Sequence, residues 1–286
     1  MPELPEVETV RRGLTRLVQG ATIDHVDVYY AKMVRPDAEI FTADLIGRKI
    51  ERIDRRGKYL LFRFSGNLTM VSHLRMEGKY DVQPEGSPIP KHTHVIFHLT
   101  DNRELRYNDT RKFGRMRLVE TGTEDTELPS LGKLGPEPTA ETLTLAYMQQ
   151  AFGKSHKVVK PFLLDQSRIA GLGNIYVDEV LWLSKINPLT PADTLTKKQL
   201  ETLRQNIIAE IAVAIKGHGT TVHTFSTAFG EAGNFQNHLH VYGHEGEPCE
   251  RCGTEIVKIK VAQRGTHLCP HCQPYPPEAL EERNDD

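Results

Sequence analysis

MPELPEVETVRRGLTRLV, residues 1–18, decides how the first half of the chain is built, because it places one helix ahead of a block that reads as strands. Val7, Val10, Leu14 and Leu17 recur at spacings of three and four, which is one face of a helix from Glu3 to about Val18, with polar residues on the other face. From about Thr22 to Val119 the pattern changes to short runs: KYLLFRF (58–64), LTMVSHL (68–74), HVIFHLT (94–100) and GRMRLVE (114–120). Gly, Asn-Asp and Pro punctuate them, which predicts a mostly antiparallel all-β block carrying one N-terminal helix. GKLGPEP (132–138) interrupts both periodicities and predicts a hinge. Beyond it the spacing turns helical, at Leu145–Phe152, Val159–Asp165, Tyr176–Leu183 and Lys197–Lys216. IAGLGNI (169–175) sits between two of these, with Asn174 placed as the N-cap of the next helix.

GHGTTVHTFSTAFGEAG (217–233) has no period, and a loop of that length in a compact protein is usually functional or disordered. His238–Tyr242 reads as a short strand. The expected fold is therefore α+β and multidomain: an N-terminal helix with an antiparallel β-sandwich (1–131), a hinge (132–139), a helical domain carrying the 217–233 loop (140–242), a cysteine module (243–273) and a disordered acidic tail (274–286).

At 286 residues two domains sharing a cleft are the natural expectation. No apolar run approaches the roughly 18 residues of a membrane span. The acidic start MPELPEVETV lacks a basic-then-apolar signal pattern, so a cytoplasmic location is expected. The net charge of −2 argues weakly against a polyanionic partner, but the tail after Pro274 carries −4 and leaves +2 on the rest. Arg48–Arg63 and Arg103–Arg117 are locally basic; taken alone, each reads as a solvated strand face.

All four cysteines lie near the C-terminus, as Cys249-x2-Cys252 and Cys269-x2-Cys272 with sixteen residues between the pairs. In a cytosolic protein this spacing predicts one structural zinc ion, since two pairs close a tetrahedral site with no position left for water. Between the pairs, 255–262 and 265–268 alternate as a hairpin would, with Gln263-Arg264-Gly265 at the turn and Arg264 at its tip.

Residue 2 is proline, and a small second residue permits removal of Met1, which would leave a secondary amine. Attack by that amine on an aldehyde carbon gives only a cationic iminium, which favours elimination of neighbouring leaving groups. An α-amine also titrates near pH 8, so part of it is neutral at physiological pH. Glu3 and Glu6 flank it as candidate proton donors or acceptors. Pro followed by acidic first-turn residues is equally an ordinary helix opening.

PELPEVETVRRGL at the start and the four-cysteine module at the end together resemble the bacterial formamidopyrimidine-DNA glycosylases. RRGKYL around Lys58, HLRMEG from His73, LRYNDTRKFG ending at Gly114, DQSRIAGLGNIYVDE from Asp165 and QRGTHLCPHCQ from Gln263 continue the resemblance in order, over residues 2–273. It implies that Gly171–Asn174, opening the next helix, belongs to a helix-two-turns-helix DNA-binding domain over 140–242, and that the chain is a monomeric bifunctional glycosylase and abasic-site lyase for base-excision repair. Its partner would be double-stranded DNA containing oxidised purines (8-oxoguanine, formamidopyrimidines) or abasic sites. No organic cofactor, membrane or obligate protein partner is implied.

By the same resemblance Pro2 would attack C1′ of a flipped-out nucleotide. Glu3 would protonate the sugar, Glu6 would support the helix end, and Lys58 would direct a cation toward the lesion or its phosphate, with Arg264 completing the catalytic set. Met76 would fill the hole left by the extruded base, Phe113 would wedge the next step, and Arg111 would hydrogen-bond the orphaned cytosine. His73, His94, Asn174, Tyr242 and Arg264 would contact the DNA. Glu77, Thr221, Val222, His223 and Thr224 would read the lesion.

Four positions depart from the family pattern: His223 and Phe225, in His223-Thr224-Phe225 where an Arg-x-Tyr stretch is expected, Gln263 where Gly is expected, and Thr93 in place of an acidic residue. Two other readings remain open, an endonuclease VIII-like glycosylase for oxidised pyrimidines and a non-catalytic damage-binding zinc protein.

Overall fold

The structure, a computed structural model, describes residues 1–220 and 235–277. It divides into two compact units: Met1–Lys133 with the described part of Ile215–Gln236, and Leu134–Ala214 with the described part of Asn237–Asp286.

The first unit opens with α1 (Leu4–Val18). Nine strands follow, β1 (Ile23–Val28), β2 (Val34–Arg35), β3 (Ile50–Arg56), β4 (Tyr59–Phe64), β5 (Leu68–His73), β6 (Lys79–Pro84), β7 (Thr93–Leu99), β8 (Arg103–Asn108) and β9 (Arg115–Glu120). They form two sheets, ordered β1-β7-β8-β6 and β2-β9-β5-β4-β3, antiparallel throughout except for the short β2–β9 pair. Val7, Val10, Leu14 and Val18 on one face of α1 join Ile53, Phe62 and Met70 of one sheet and Val95, Phe97 and Leu105 of the other in a single core. Each such side chain contributes about 1.5–3 kcal/mol when removed from water. Glu8, on α1, accepts hydrogen bonds from Arg11, Arg12 and, across 47 residues, Arg55 of β3.

The four runs singled out in the sequence are β4, β5, β7 and β9. The β block also contains a helix that the strand pattern concealed, α2 (Ala38–Leu45). Its signals were Asp37, whose carboxylate accepts from the Ile40 amide at 2.9 Å, and the buried pair Phe41 and Leu45 four residues apart. Two single-turn helices, α3 (Glu124–Glu127) and α4 (Pro129–Gly132), end this part of the unit.

The second unit contains α5 (Leu145–Phe152), α6 (Val159–Leu164), α7 (Asn174–Leu183) and α8 (Lys197–Lys216) up to Ala214, close to the helices expected from periodicity. Its centre is α7, buried along its length, and two adjacent carboxylates on it replace water for backbone groups elsewhere. Asp178 accepts from the buried Lys160 Nζ at 2.6 Å and from the His267 amide at 2.9 Å. Glu179 accepts from the amides of His240, Val241 and Tyr242. This explains a difference from expectation: 238–242 is not a strand, because its amides converge on one carboxylate instead of a partner strand. Burial pushes the Glu179 carboxyl up, and the three amides oppose that.

A hairpin, β10 (Val257–Val261) and β11 (Arg264–Leu268), completes the unit. Its turn is Ala262–Gln263, one residue earlier than the spacing suggested, so Arg264 opens β11 opposite Val261. Both turn residues have positive φ, 46° and 64°, as a two-residue type I′ turn requires. Of the predicted tail, 278–286 lies outside the described residues. No helix among the described residues is long and apolar enough to cross a membrane.

Candidate active site

The start of the chain is held by one carboxylate. Glu6 Oε2 accepts from the Glu3 amide at 2.8 Å, and Glu6 Oε1 accepts from the Thr220 amide at 2.8 Å. Glu3, the N-cap of α1, and Glu6 are both buried, as is Pro2, whereas Met1 is exposed. Gly219, at φ +73°, lies against this carboxylate: a Cβ there would meet Glu6 Oε1 at 2.7 Å. One side chain thus ties the N-terminus to the chain entering 221–234, the segment holding Thr221, Val222, His223, Thr224 and Phe225, which lie outside the described residues.

Four charges act on this chain end. The Met1 amine, one residue ahead of the Pro2 nitrogen, has its pKa lowered by burial; Glu3, Glu6 and Glu77 oppose this and Lys58 adds to it. An amine in such surroundings keeps a larger neutral, nucleophilic fraction near neutral pH. Lys58 reaches this environment because Gly57, at φ +55°, turns the chain tightly between paired Arg56 and Tyr59, and Lys58 itself is buried.

At the end of β5, His73 is nine-tenths buried against the edge of the Tyr59 ring, and its Nδ1 accepts from the Arg75 amide at 2.9 Å. The ring proton therefore sits on Nε2. Burial first, then Arg75 and Lys58, pushes the imidazole pKa down to about 3, so His73 is an uncharged donor at neutral pH. Met76 and Glu77 follow, both partly exposed, in the turn closed by the Gly78 amide on the Leu74 carbonyl at 3.0 Å. Glu77 also lines a cavity of about 350 Å³ with Asn108, Asp109 and Thr110.

Asp109 builds the second projecting turn. Buried within NDTRKFG, it accepts from the Arg111 amide at 3.0 Å and the Gly114 amide at 2.7 Å, while its carbonyl accepts from His94 Nε2 at 2.8 Å. The tip of this turn presents Arg111 and Phe113, the guanidinium carbon 4.8 Å from the ring centroid. Phe113 is 47% exposed, one of the few large apolar side chains left so open. Buried His94 thus supports the turn from below. Sequence reading passed over Asp109, although Asp two residues before Arg111 is an Asx-turn signal. It also missed Tyr107: Cβ atoms at Gly78 and Gly114 would lie 2.0 and 1.8 Å from its hydroxyl, so one side chain spaces both turns.

In the second unit, Asn174, Tyr242 and Arg264 gather around the hairpin. The helix cap is Gly173, not Asn174; Asn174 starts α7 and its Nδ2 donates to the Gly265 carbonyl at 3.0 Å. Lys160 Nζ donates to the same carbonyl at 3.0 Å. Tyr242 packs edge-on against His267, with centroids 4.8 Å apart, and Arg264 is exposed beside the turn. Below the hairpin, one sulfur from each of Cys249, Cys252, Cys269 and Cys272 lies within 4.8 Å of the others. Cys252 and Cys269 are 3.5 Å apart, too far for a disulfide and close to the roughly 3.8 Å edge of a zinc–sulfur tetrahedron with bonds of about 2.3 Å. Four thiolates leave no open position, so the zinc they hold is structural.

A buried second-position proline beside two carboxylates and a four-cysteine hairpin place the chain among the zinc-finger DNA glycosylases, and comparison with known proteins narrows this. Residues 1–116 match the formamidopyrimidine-DNA glycosylase N-terminal domain, 134–226 the formamidopyrimidine-DNA glycosylase H2TH domain, and 246–274 the zinc finger found in FPG and IleRS. The formamidopyrimidine-DNA glycosylase of Lactiplantibacillus plantarum is 70% identical over 270 residues, covering 94% of this chain and 98% of the relative. That of Latilactobacillus sakei is 59% identical over 273 residues, covering 96% and 98%. The Lactococcus lactis protein solved with DNA containing an abasic site superposes with a TM-score of 0.91 at 44% identity, covering 96% of this chain and all of that one. The same protein has been solved with DNA containing a formamidopyrimidine lesion, with a TM-score of 0.90. The chain belongs to the formamidopyrimidine-DNA glycosylase family.

Proposed function

We propose that this protein excises oxidised purines from duplex DNA and then cuts the abasic strand, with the Pro2 nitrogen as nucleophile once Met1 is removed. The observation that carries the reading is Pro2 buried beside Glu3 and Glu6, with the Glu6 carboxylate holding both the Glu3 and the Thr220 amides. The neutral amine attacks C1′ of an extruded nucleotide; the C1′–N bond breaks and the base departs with its electron pair. The attacking nitrogen passes its own proton to Glu3, which delivers it to the sugar ring oxygen as the ring opens, giving a cationic iminium. Loss of a proton from C2′ then expels the 3′ phosphate, and a second elimination expels the 5′ phosphate, leaving a one-nucleotide gap.

Glu6 is a positioning residue in this scheme, since both its oxygens already hold backbone amides. Lys58 supplies the cation beside the lesion. Met76 and Phe113 occupy the space opened in the duplex, and Arg111 faces the unpaired cytosine. His73 as a neutral Nε2 donor, with Asn174, Tyr242 and Arg264, contacts phosphates, and His94 acts through the Asp109 turn. Glu77 and the backbone of Thr221–Thr224 read the lesion; backbone donors tolerate His223 and Phe225 in place of the family's usual residues. Residues 1–131 carry the chemistry, 132–139 the hinge, 140–242 and 243–273 the DNA grip. The protein works as a monomer, in the cytoplasm on chromosomal DNA.

The test is borohydride trapping on a duplex bearing 8-oxoguanine opposite cytosine, followed by peptide mass analysis. A stable adduct on Pro2 is expected. Tight lesion binding without adduct or strand cleavage, by protein with a confirmed free Pro2 amine, would overturn the lyase mechanism and favour a damage-binding module.

A further inference from the structure

The outer face of the four-stranded sheet carries a second group of metal-binding side chains, remote in sequence from the cysteines. Val26 of β1 points into the core, so His25 and Asp27 on either side of it point outward, and His98 of β7 stands directly across from His25. The two imidazoles stack with centroids 3.9 Å apart and planes 8° from parallel. His98 Nε2 lies 3.1 Å from Asp27 Oδ2, and one ligand atom from each of His25, Asp27 and His98 lies within 4.8 Å of the others.

We propose that His25, Asp27 and His98 form a site for a divalent transition ion of the zinc class. Two imidazoles with one carboxylate suit such ions, whereas magnesium and calcium prefer oxygen donors alone. The surroundings also fit. His25 Nδ1 is engaged by Asp24 Oδ2 at 2.8 Å, which leaves Nε2 as the ligand nitrogen. His98 Nδ1 is buried, makes no hydrogen bond among the described residues, and faces Glu104 Oε1 at 3.7 Å; Arg106 fixes Glu104. Each imidazole therefore has a carboxylate on its Nδ1 side, the arrangement that fixes the tautomer and strengthens Nε2 as a ligand.

With bonds of about 2.0–2.1 Å, tetrahedral ligand atoms stand about 3.4 Å apart. The His98–Asp27 pair already meets that spacing. His25 and Asp27, each about half exposed, are able to close the remainder by side-chain rotation. The ion would replace the proton that His98 shares with Asp27 and would also join edge strand β1 to β7. The Tyr29 hydroxyl, 3.4 Å from Asp27 Oδ2, flanks the open coordination positions.

The test is calorimetric titration of the protein, its cysteine site already loaded with zinc, with zinc chloride at pH 7.5. One further equivalent is expected per chain. H25Q and D27N, both on the outer surface, should abolish it, and D24N should weaken it by about tenfold, all with unchanged excision of 8-oxoguanine. Absence of a further equivalent in the unaltered protein overturns the proposal. So does an equivalent that persists undiminished in both H25Q and D27N, which would assign the ion to other histidines.

Discussion

Glu8 shows how one side chain anchors the helix that follows the proposed nucleophile. Burial opposes its ionisation, but hydrogen bonds from Arg11 and Arg12 and the charges of Arg11 and Arg55 outweigh that and hold its pKa at about 2, against an ordinary 4.5. Its contribution to stability is therefore complete above about pH 4.5 and disappears as pH falls through about 2. Glu8→Gln is expected to cost about 2 kcal/mol at pH 7, after allowance for solvent screening, with the difference from the unaltered protein closing in acid. Urea denaturation across pH 2–7 measures it. The roles proposed for Pro2, Glu3 and Glu6 came from the family resemblance, because proline ahead of acidic first-turn residues is by itself equally an ordinary helix opening. Asp109, Tyr107 and Glu179 were not legible in the sequence, because each acts on backbone groups that only the fold brings to it.

At the scale of elements, the helical and strand periods located α1, α5, α6, α7, α8 and the strands β4, β5, β7 and β9. Local chemistry decided the rest: α2 hid in a strand-rich block, and the hairpin turn fell on Ala262 and Gln263, residues that disfavour positive φ. Gln263→Gly, which relieves one of them, should stabilise the hairpin by about 0.5–1 kcal/mol, measured as a rise in the zinc-loaded protein's midpoint in guanidinium. The turn bearing Arg111 and Phe113 is expected to respond to Gly114→Ala, since the new methyl meets the Tyr107 hydroxyl at 1.8 Å. A loss of about 2 kcal/mol or more is expected, with weakened preference for cytosine opposite the lesion. Adding Tyr107→Phe should restore part of both, because the aromatic carbon beneath the hydroxyl stands at 2.7 Å. Cleavage assays against all four opposing bases give the readout.

For the whole molecule, the zinc hairpin is held by interactions of two kinds, sulfur to metal and Lys160–Asp178 to backbone. Chelation removes only the first. Zinc-stripped protein should therefore lose lesion affinity while the first unit keeps its β-sheet circular dichroism. Its dependence of log K on log salt should become shallower by about 0.9 for each phosphate that the hairpin no longer neutralises. Anisotropy titrations at several salt concentrations decide this; unchanged affinity after verified zinc loss would remove the hairpin from the DNA interface.

The bond from Thr220 to Glu6 spans 214 residues of chain. At about 5–20 residues per second, a ribosome needs roughly 10–40 s to travel that distance. For all of that time the nascent protein has a first helix whose carboxylate lacks its second partner, and a Met1–Pro2 bond at an unsealed end. A processing peptidase has this interval in which to act. The amine proposed as nucleophile gains the Glu6–Thr220 tie beside it only when the rest of the chain exists.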